Sequence, residues 1–351
     1  MKIIFALTFI WMFSILAPEM RAQDSEKTSA NSRGVISVPV TVSDREGRYI
    51  SGLKKEDFTL YQDGVKQNIT LFATQDEPIS VALLLDTSGS TKDVLDKIKG
   101  AAKDFIELLN SRDRCLIATF DSGVKVLNPL TSNRQTLIDS LDKIQPAVQE
   151  GSVVFSAVEQ ITRESFTNFQ GRKVIVLLSD GKDFGSSVTK DKLLNLLEES
   201  DVLIYTLFYK TGAGFNKPVI ASISTIEEGK DSKTPEKKKS QKKKKEYSIF
   251  IPAQAGQPSD EEIESLERKA DIEAIDSLKE MSDTTAGRFY SSDTPKLREV
   301  FKKVAGELRQ QYRLGYQAKD ANDAAVHNIS VRVERPDVVV RARGKFRAKQ
   351  L

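Results

Sequence analysis

The segment Val81-Ala82-Leu83-Leu84-Leu85 is apolar at every position and runs straight into Asp86-Thr87-Ser88-Gly89-Ser90. A strand apolar on both faces needs cover on both faces, which an exposed antiparallel sheet does not provide. Val174-Ile175-Val176-Leu177-Leu178 repeats the pattern and ends in Ser179-Asp180-Gly181. Between and after these runs the apolar period changes to that of a helix. Val94, Ile98, Ala101, Ala102, Phe105, Ile106 and Leu109 form one stripe, and Leu137, Leu141 and Ile144 form another that Pro146 closes. Val154 to Phe166 and Leu193 to Leu197 read as helices, as does the stretch carrying Ala274, Ile275, Leu278 and Met281. Leu116–Phe120 and Val202–Phe208 read as strands, with Val124–Leu127 as the hairpin partner of the former. A last helix, capped by Thr294-Pro295, aligns Leu297, Val300, Phe301, Val304 and Leu308. Strands alternating with helices predict an α/β fold: a doubly wound, mostly parallel sheet with helices on both faces.

The two flanks follow a different rule. Ile36, Val38, Val40 and Val42 alternate with Ser37, Pro39, Thr41 and Ser43, the pattern of a half-buried strand, and Pro39 suggests an edge position. Phe58–Tyr61, Asp63-Gly64 and Asn68–Phe72 read as a hairpin, because Asp-Gly favours the tight primed turn. Too few strands stand here for a core. Ile329, Val331 and Val333 alternate in the same way near the other end, and Val338–Val340 follow Arg335-Pro336-Asp337. The prediction is one small β-sandwich built from residues 34–76 and 313–347, flanking an α/β domain over residues 79–312.

Two segments stand outside this scheme. Lys2, the apolar run Ile3–Leu16 and the small residues toward Ala22 make residues 1–22 an expected signal peptide; an uncleaved anchor is the alternative, disfavoured because the apolar run is short for a bilayer span. Export to the periplasm or beyond follows. Residues 211–262 are rich in Lys, Ser, Gly, Pro and Glu and read as a disordered insertion. Its lysines, Lys233, Lys237–Lys239 and Lys242–Lys245, suit either a solvated loop or attraction to an anionic envelope surface. Nucleic acid is disfavoured, since no aromatics interleave with the lysines.

The residue inventory excludes whole classes of chemistry. Cys115 is the sole cysteine and His327 the sole histidine of 351 residues. No intrachain disulfide can form, and zinc, iron–sulfur or Cys/His catalytic sites lack raw material. Cys115 sits in an apolar strand and reads as a buried, inert thiol. What the chain does supply is oxygen. Asp86, Ser88 and Ser90 follow one strand, Asp180 follows another, Asp121 ends a third, and Ser152 opens a helix. Open parallel sheets bind ligands beyond the carboxyl ends of their strands. Carboxylates and hydroxyls gathered there suit a hard divalent cation, Mg²⁺ first, with Mn²⁺ and Ca²⁺ as alternatives. The bland alternative is that Ser88 and Ser90 cap a helix while Asp86 satisfies loop amides.

These residues resemble the von Willebrand factor A (VWA) domain. Its metal-ion-dependent adhesion site (MIDAS) uses Asp-x-Ser-x-Ser on one loop, a threonine on a second and an aspartate on a third. Asp86, Ser88 and Ser90 match the first, and Asp180 matches the third. Ser152 stands where the family has threonine, which keeps the hydroxyl but loses the stiffening β-branch. The resemblance covers residues 79–210 and 270–312. More loosely, Gly52-Leu53, Asp57-Phe58, Asp63-Gly64 and Tyr312-Arg313-Leu314-Gly315-Tyr316 look like a bacterial group of secreted VWA-related proteins. It implies a metal site of Asp86, Ser88, Ser90, Ser152 and Asp180, completed by an acidic residue from a protein partner.

The expectation is therefore an exported, adhesion-type binding module rather than an enzyme. A structural envelope protein with a non-functional site is the alternative. A metal-dependent hydrolase is the weaker third, because His327 falls in the flanking sandwich, no Gly-x-Ser-x-Gly elbow occurs, and Asp183 suits a supporting role better than that of a base.

Overall fold

A computed structural model describes residues 35–74, 77–147, 151–166, 169, 171–210, 259–292, 296–318 and 325–348. The expected signal peptide, the lysine cluster and Thr294-Pro295 lie outside the described residues. The strands are β1 (Val35–Asp44), β2 (Phe58–Gln62), β3 (Val65–Gln67), β4 (Ile69–Ala73), β5 (Ile79–Asp86), β6 (Arg114–Phe120) and β7 (Val124–Val126). They continue with β8 (Arg172–Ser179), β9 (Val202–Tyr209), β10 (Arg288–Ser292), β11 (Tyr312–Gln317), β12 (Val326–Val333), β13 (Val338–Ala342) and β14 (Lys345–Arg347). The helices are α1 (Leu95–Leu108), α2 (Arg134–Asp142), α3 (Val154–Gln160), α4 (Lys190–Glu199), α5 (Asp260–Thr284) and α6 (Leu297–Gln310).

The central sheet has the order β10-β9-β8-β5-β6-β7, parallel throughout except for β7 at one edge. Its middle strands are buried at every residue of β5 and β9, as the unbroken apolar runs require. Val81, Leu83 and Leu85 pack with α1, α2 and α6, while Ala82 and Leu84 pack with α3, α4 and α5. Each fully buried Leu or Val in these layers contributes roughly 1.5–3 kcal/mol relative to exposure. The apolar stripe of α6 lies against α1, where Phe105 and Phe301 meet at 5.3 Å between centroids. This is the doubly wound α/β architecture expected from the alternating periods.

Both ends of the chain build two four-stranded sheets, β13-β1-β11-β4 and β14-β12-β2-β3. They share one core around Val38, Val40, Val42, Leu60, Tyr312, Leu314 and Tyr316. Two local expectations fail here. Asp63 and Gly64, both at positive φ, turn β2 back onto β3 rather than onto Asn68–Phe72. After Asn68 the chain crosses to the other sheet, where β4 pairs with β11. Pro39 lies in an interior strand, not at an edge. The β13 ladder covers only Val40 to Asp44, so on that side Pro39 sits just past its end.

Helix α5 starts inside the segment assigned by sequence to the insertion. Ser259 and Glu262 form a capping box, with Glu262 N donating to Ser259 Oγ at 3.2 Å and Ser259 N donating to Glu262 Oε2 at 2.8 Å. Strand β10 was not anticipated either; its pairing with β9 from Arg288↔Tyr205 onward defines it. Among the described residues no helix is long and apolar enough to cross a membrane.

Buried arginines fasten the sandwich to the α/β layers. Arg343 donates to the carbonyls of Ser200 (2.7 Å) and Glu198 (2.5 Å), closing the carboxyl end of α4. Burial pulls its guanidinium down to about 10. Arg172 donates to Leu308 O at 2.5 Å and Glu77 O at 2.6 Å, and Glu77 pairs in turn with Arg313 of β11.

Candidate metal centre

Strand β5 delivers Asp86 to the carboxyl end of the sheet, wholly buried. Its Oδ1 accepts from Ser88 N at 2.9 Å, which bends the chain into the following turn. Ser88 precedes that turn without a side-chain capping bond; its hydroxyl instead lies 3.2 Å from that of Ser90. Helix α1 begins only at Leu95, after Val94. Helix capping therefore leaves the two hydroxyls unexplained, whereas Asp86 does satisfy a loop amide.

The second loop brings Ser152, whose Oγ donates to Asp86 Oδ2 at 3.4 Å. Backbone bonds stitch this loop in place: Val153 N donates to Asp121 O at 2.9 Å, and Phe184 N donates to Ser152 O at 2.7 Å. Asp121 thus acts through its carbonyl. Its carboxylate accepts from Ser122 Oγ and Gly123 N in its own turn. Asp183 accepts from Phe155 N (3.1 Å) and Ser186 Oγ (2.5 Å), tying the third loop to the start of α3.

That third loop follows β8. Asp180 is almost fully buried, and Lys182 N donates to its Oδ1 at 3.3 Å. Gly181 adopts φ +76°, and a Cβ there would stand 2.8 Å from Leu278 Cδ1, so α5 presses a glycine into this position. Ser179 was not singled out from sequence. Its hydroxyl donates to Asp86 Oδ2 at 2.6 Å and accepts from Gly181 N at 2.8 Å, bridging the first and third loops. The available signal was a hydroxyl ending an otherwise apolar strand directly before Asp180.

Burial, and then the charge of Asp180, push the Asp86 carboxyl up to about 7. Two buried acids held together, with the hydroxyls of Ser88, Ser90 and Ser152 around them, make a hard-oxygen donor set that fits a divalent cation. The ion-free protein pays for this arrangement in a pH-dependent way. An acid with a raised folded-state pKa favours the native state while protonated, so that contribution fades as pH rises from about 4 to about 7. With chelator present, the melting temperature of wild type relative to Asp86→Asn is expected to fall across that window. A constant difference between the two proteins would contradict the burial argument.

His327 lies on β12 of the sandwich, where its Nδ1 faces Asp63 Oδ2 at 2.8 Å and Gln62 Nε2 at 3.1 Å. Cys115 is fully buried and its thiol is pushed up to about 12, as expected of an inert core residue.

Residues 81–182 match the von Willebrand factor type A domain, a span containing all five candidate ligands. The match falls on the central, α/β part of the chain. Among solved structures, proximal thread matrix protein 1 from the mussel byssus is similar at 15% identity and TM-score 0.47, over 71% of this chain and 51% of that one. The chain therefore spans about half the length of the mussel protein. BatB from Bacteroides thetaiotaomicron is similar at 17% identity and TM-score 0.43, over 66% of this chain and 97% of that one. The vWF domain of the pilus tip protein Mfa5 from Porphyromonas gingivalis is similar at 11% identity and TM-score 0.42, over 66% and 94% respectively. No curated protein sequence matches the chain.

Proposed function

We propose that this VWA-domain protein is an exported, non-catalytic binding module that captures a protein partner through a divalent cation, Mg²⁺ in the first instance. Asp86, Ser88, Ser90, Ser152 and Asp180 would hold the ion. When bound, the ion supplies positive charge and a coordination position for a carboxylate of the partner. The observation that carries the reading is the pair of buried carboxylates, Asp86 and Asp180, set among hydroxyls from three loops at the carboxyl ends of parallel strands. The lysines at 233–245 would add attraction to an anionic envelope surface.

Phe184 extends the reading to the partner. It is 50% exposed and its backbone pairs with that of Ser152, so this exposed aromatic residue belongs to the loop next to the site. Exposed aromatics near a polar anchor are favoured contact points. Titration calorimetry of the purified protein with Mn²⁺ or Mg²⁺ is expected to show one bound ion per chain. Partner capture from the native envelope is expected to vanish with chelator and return with Mg²⁺. Phe184→Ser is expected to weaken capture about tenfold while leaving ion affinity unchanged. Ion-independent capture would instead support a structural role, and absence of ion binding would overturn the reading.

A further inference from the structure

Tyr209 ends β9, and its side chain is fully buried. Its hydroxyl has no hydrogen-bond partner among the described residues. Leaving a buried hydroxyl unpaired costs about 1–3 kcal/mol. A phenylalanine would fill the same apolar space, among Leu178, Leu207 and their neighbours, without that cost. The hydroxyl therefore calls for an explanation.

Strand register supplies one. The β8–β9 ladder ends at Ser179↔Phe208, so one further step sets Asp180 beside Tyr209. The same step beyond Leu85↔Leu178 sets Asp86 beside Ser179, and there the expected contact exists, since Ser179 Oγ donates to Asp86 Oδ2. Side-chain alternation along β9 puts Tyr205, Leu207 and Tyr209 on one face, and Val174, Val176 and Leu178 of β8 share that face. Asp180, one residue past the end of β8, continues that alternation. The hydroxyl also feels the charges of both Asp86 and Asp180. A donor with no partner among the described residues thus falls beside Asp180, one of the two acids of the proposed site.

We infer that Tyr209 is a positioning residue of the cation site, its O–H donating to a water of the ion's hydration shell on the Asp180 side. This rests on the proposed cation site. A small hard cation keeps several waters, and each water needs acceptors and donors around it to stay oriented. The tyrosine would provide one from its register position beside Asp180. Outer contacts of this kind change metal affinity by roughly 10–100-fold when removed.

The test is Tyr209→Phe, which deletes one oxygen and keeps the packing. Mn²⁺ titration is expected to show affinity reduced about tenfold, while the chelator-treated protein melts at the wild-type temperature or above it. In an Asp180→Asn background the same change is expected to have little further effect, because the two act on one water. Unchanged Mn²⁺ affinity in Tyr209→Phe, with wild type binding normally, would overturn the inference and leave the cation site intact. A lower melting temperature of the ion-free variant would mark the hydroxyl as structural and overturn it as well. Failure of wild type itself to bind Mn²⁺ would remove the underlying site instead.

Discussion

Glu307→Ala is expected to remove about 3–5 kcal/mol of stability, because it strips a buried, paired carboxylate from its partners. Glu307 sits on α6 with no solvent exposure. Its Oε1 accepts from Tyr205 OH at 3.0 Å, and its Oε2 accepts from Tyr49 OH at 2.8 Å and Tyr290 OH at 3.3 Å. Arg341 and Arg288 complete the pairing, the latter at 3.1 Å. Tyr49 and Arg341 belong to the sandwich, whereas Tyr205, Tyr290 and Arg288 belong to the central sheet. The carboxylate therefore joins two layers, and its removal leaves two guanidinium groups facing one another with three hydroxyls deprived of their acceptor. Burial already holds Arg341 below its usual range. Glu307→Gln keeps an acceptor and loses the charge, so its loss should be smaller. Denaturant unfolding of both variants beside Glu299→Ala, an exposed acid on the same helix, measures the contrast. A Glu307→Ala protein as stable as Glu299→Ala would show that the joint is held by packing alone.

That network explains what the sequence could and could not reveal. Glu307 falls beside the apolar stripe of α6, three residues after Val304 and seven after Val300, but a glutamate there reads as a solvated position, so its burial was not read from the sequence. Nor were its partners, since Tyr49 lies 258 positions away. Patterns that one element sets by itself were legible: the two-faced apolar runs of β5 and β8, the stripes of α1 and α6, and the alternation of β12. Features decided by a distant neighbour were not. Local propensity cannot tell whether Asn68–Phe72 returns to β2 or crosses to β11, because both are antiparallel partners with the same alternation. Strand β10 carries Arg288, Ser291 and Ser292 and acquires its identity only from β9. The candidate site divides in the same way. Asp86, Ser88, Ser90 and Asp180 are oxygen donors directly after strand ends, and Ser152 is one at the start of a helix. Ser179 and Tyr209 matter through cross-strand register, which needs the order β9-β8-β5 before it can be read.

Asp86→Ala is expected to weaken Mg²⁺ or Mn²⁺ binding by at least about a hundredfold, beyond the range for groups that only support a ligand. Asp86 is the residue on which all three loops converge: Ser88 N, Ser152 Oγ and Ser179 Oγ all donate to it. Once ionised, it also places a negative charge in a buried setting, where attraction to a cation is screened least. Neutral hydroxyls offer only a dipole, so Ser88→Ala and Ser152→Ala should each weaken binding by about tenfold, an effect near 1.4 kcal/mol. Ser152→Thr should move affinity the other way, because the β-branch narrows χ1 and holds the hydroxyl toward Asp86. The order Asp86, then the serines, is what separates an ion held at this point from one held elsewhere. Melting temperatures taken with chelator show that each variant is folded, so affinity differences report the site and not the fold. Removing Asp86 also relieves the repulsion with Asp180, which offsets part of the cost of the orphaned donors. A variant that stays folded while losing the ion is therefore the expected pairing of results. Equal affinity in wild type and Asp86→Ala would place the ion away from the carboxyl ends of β5 and β8.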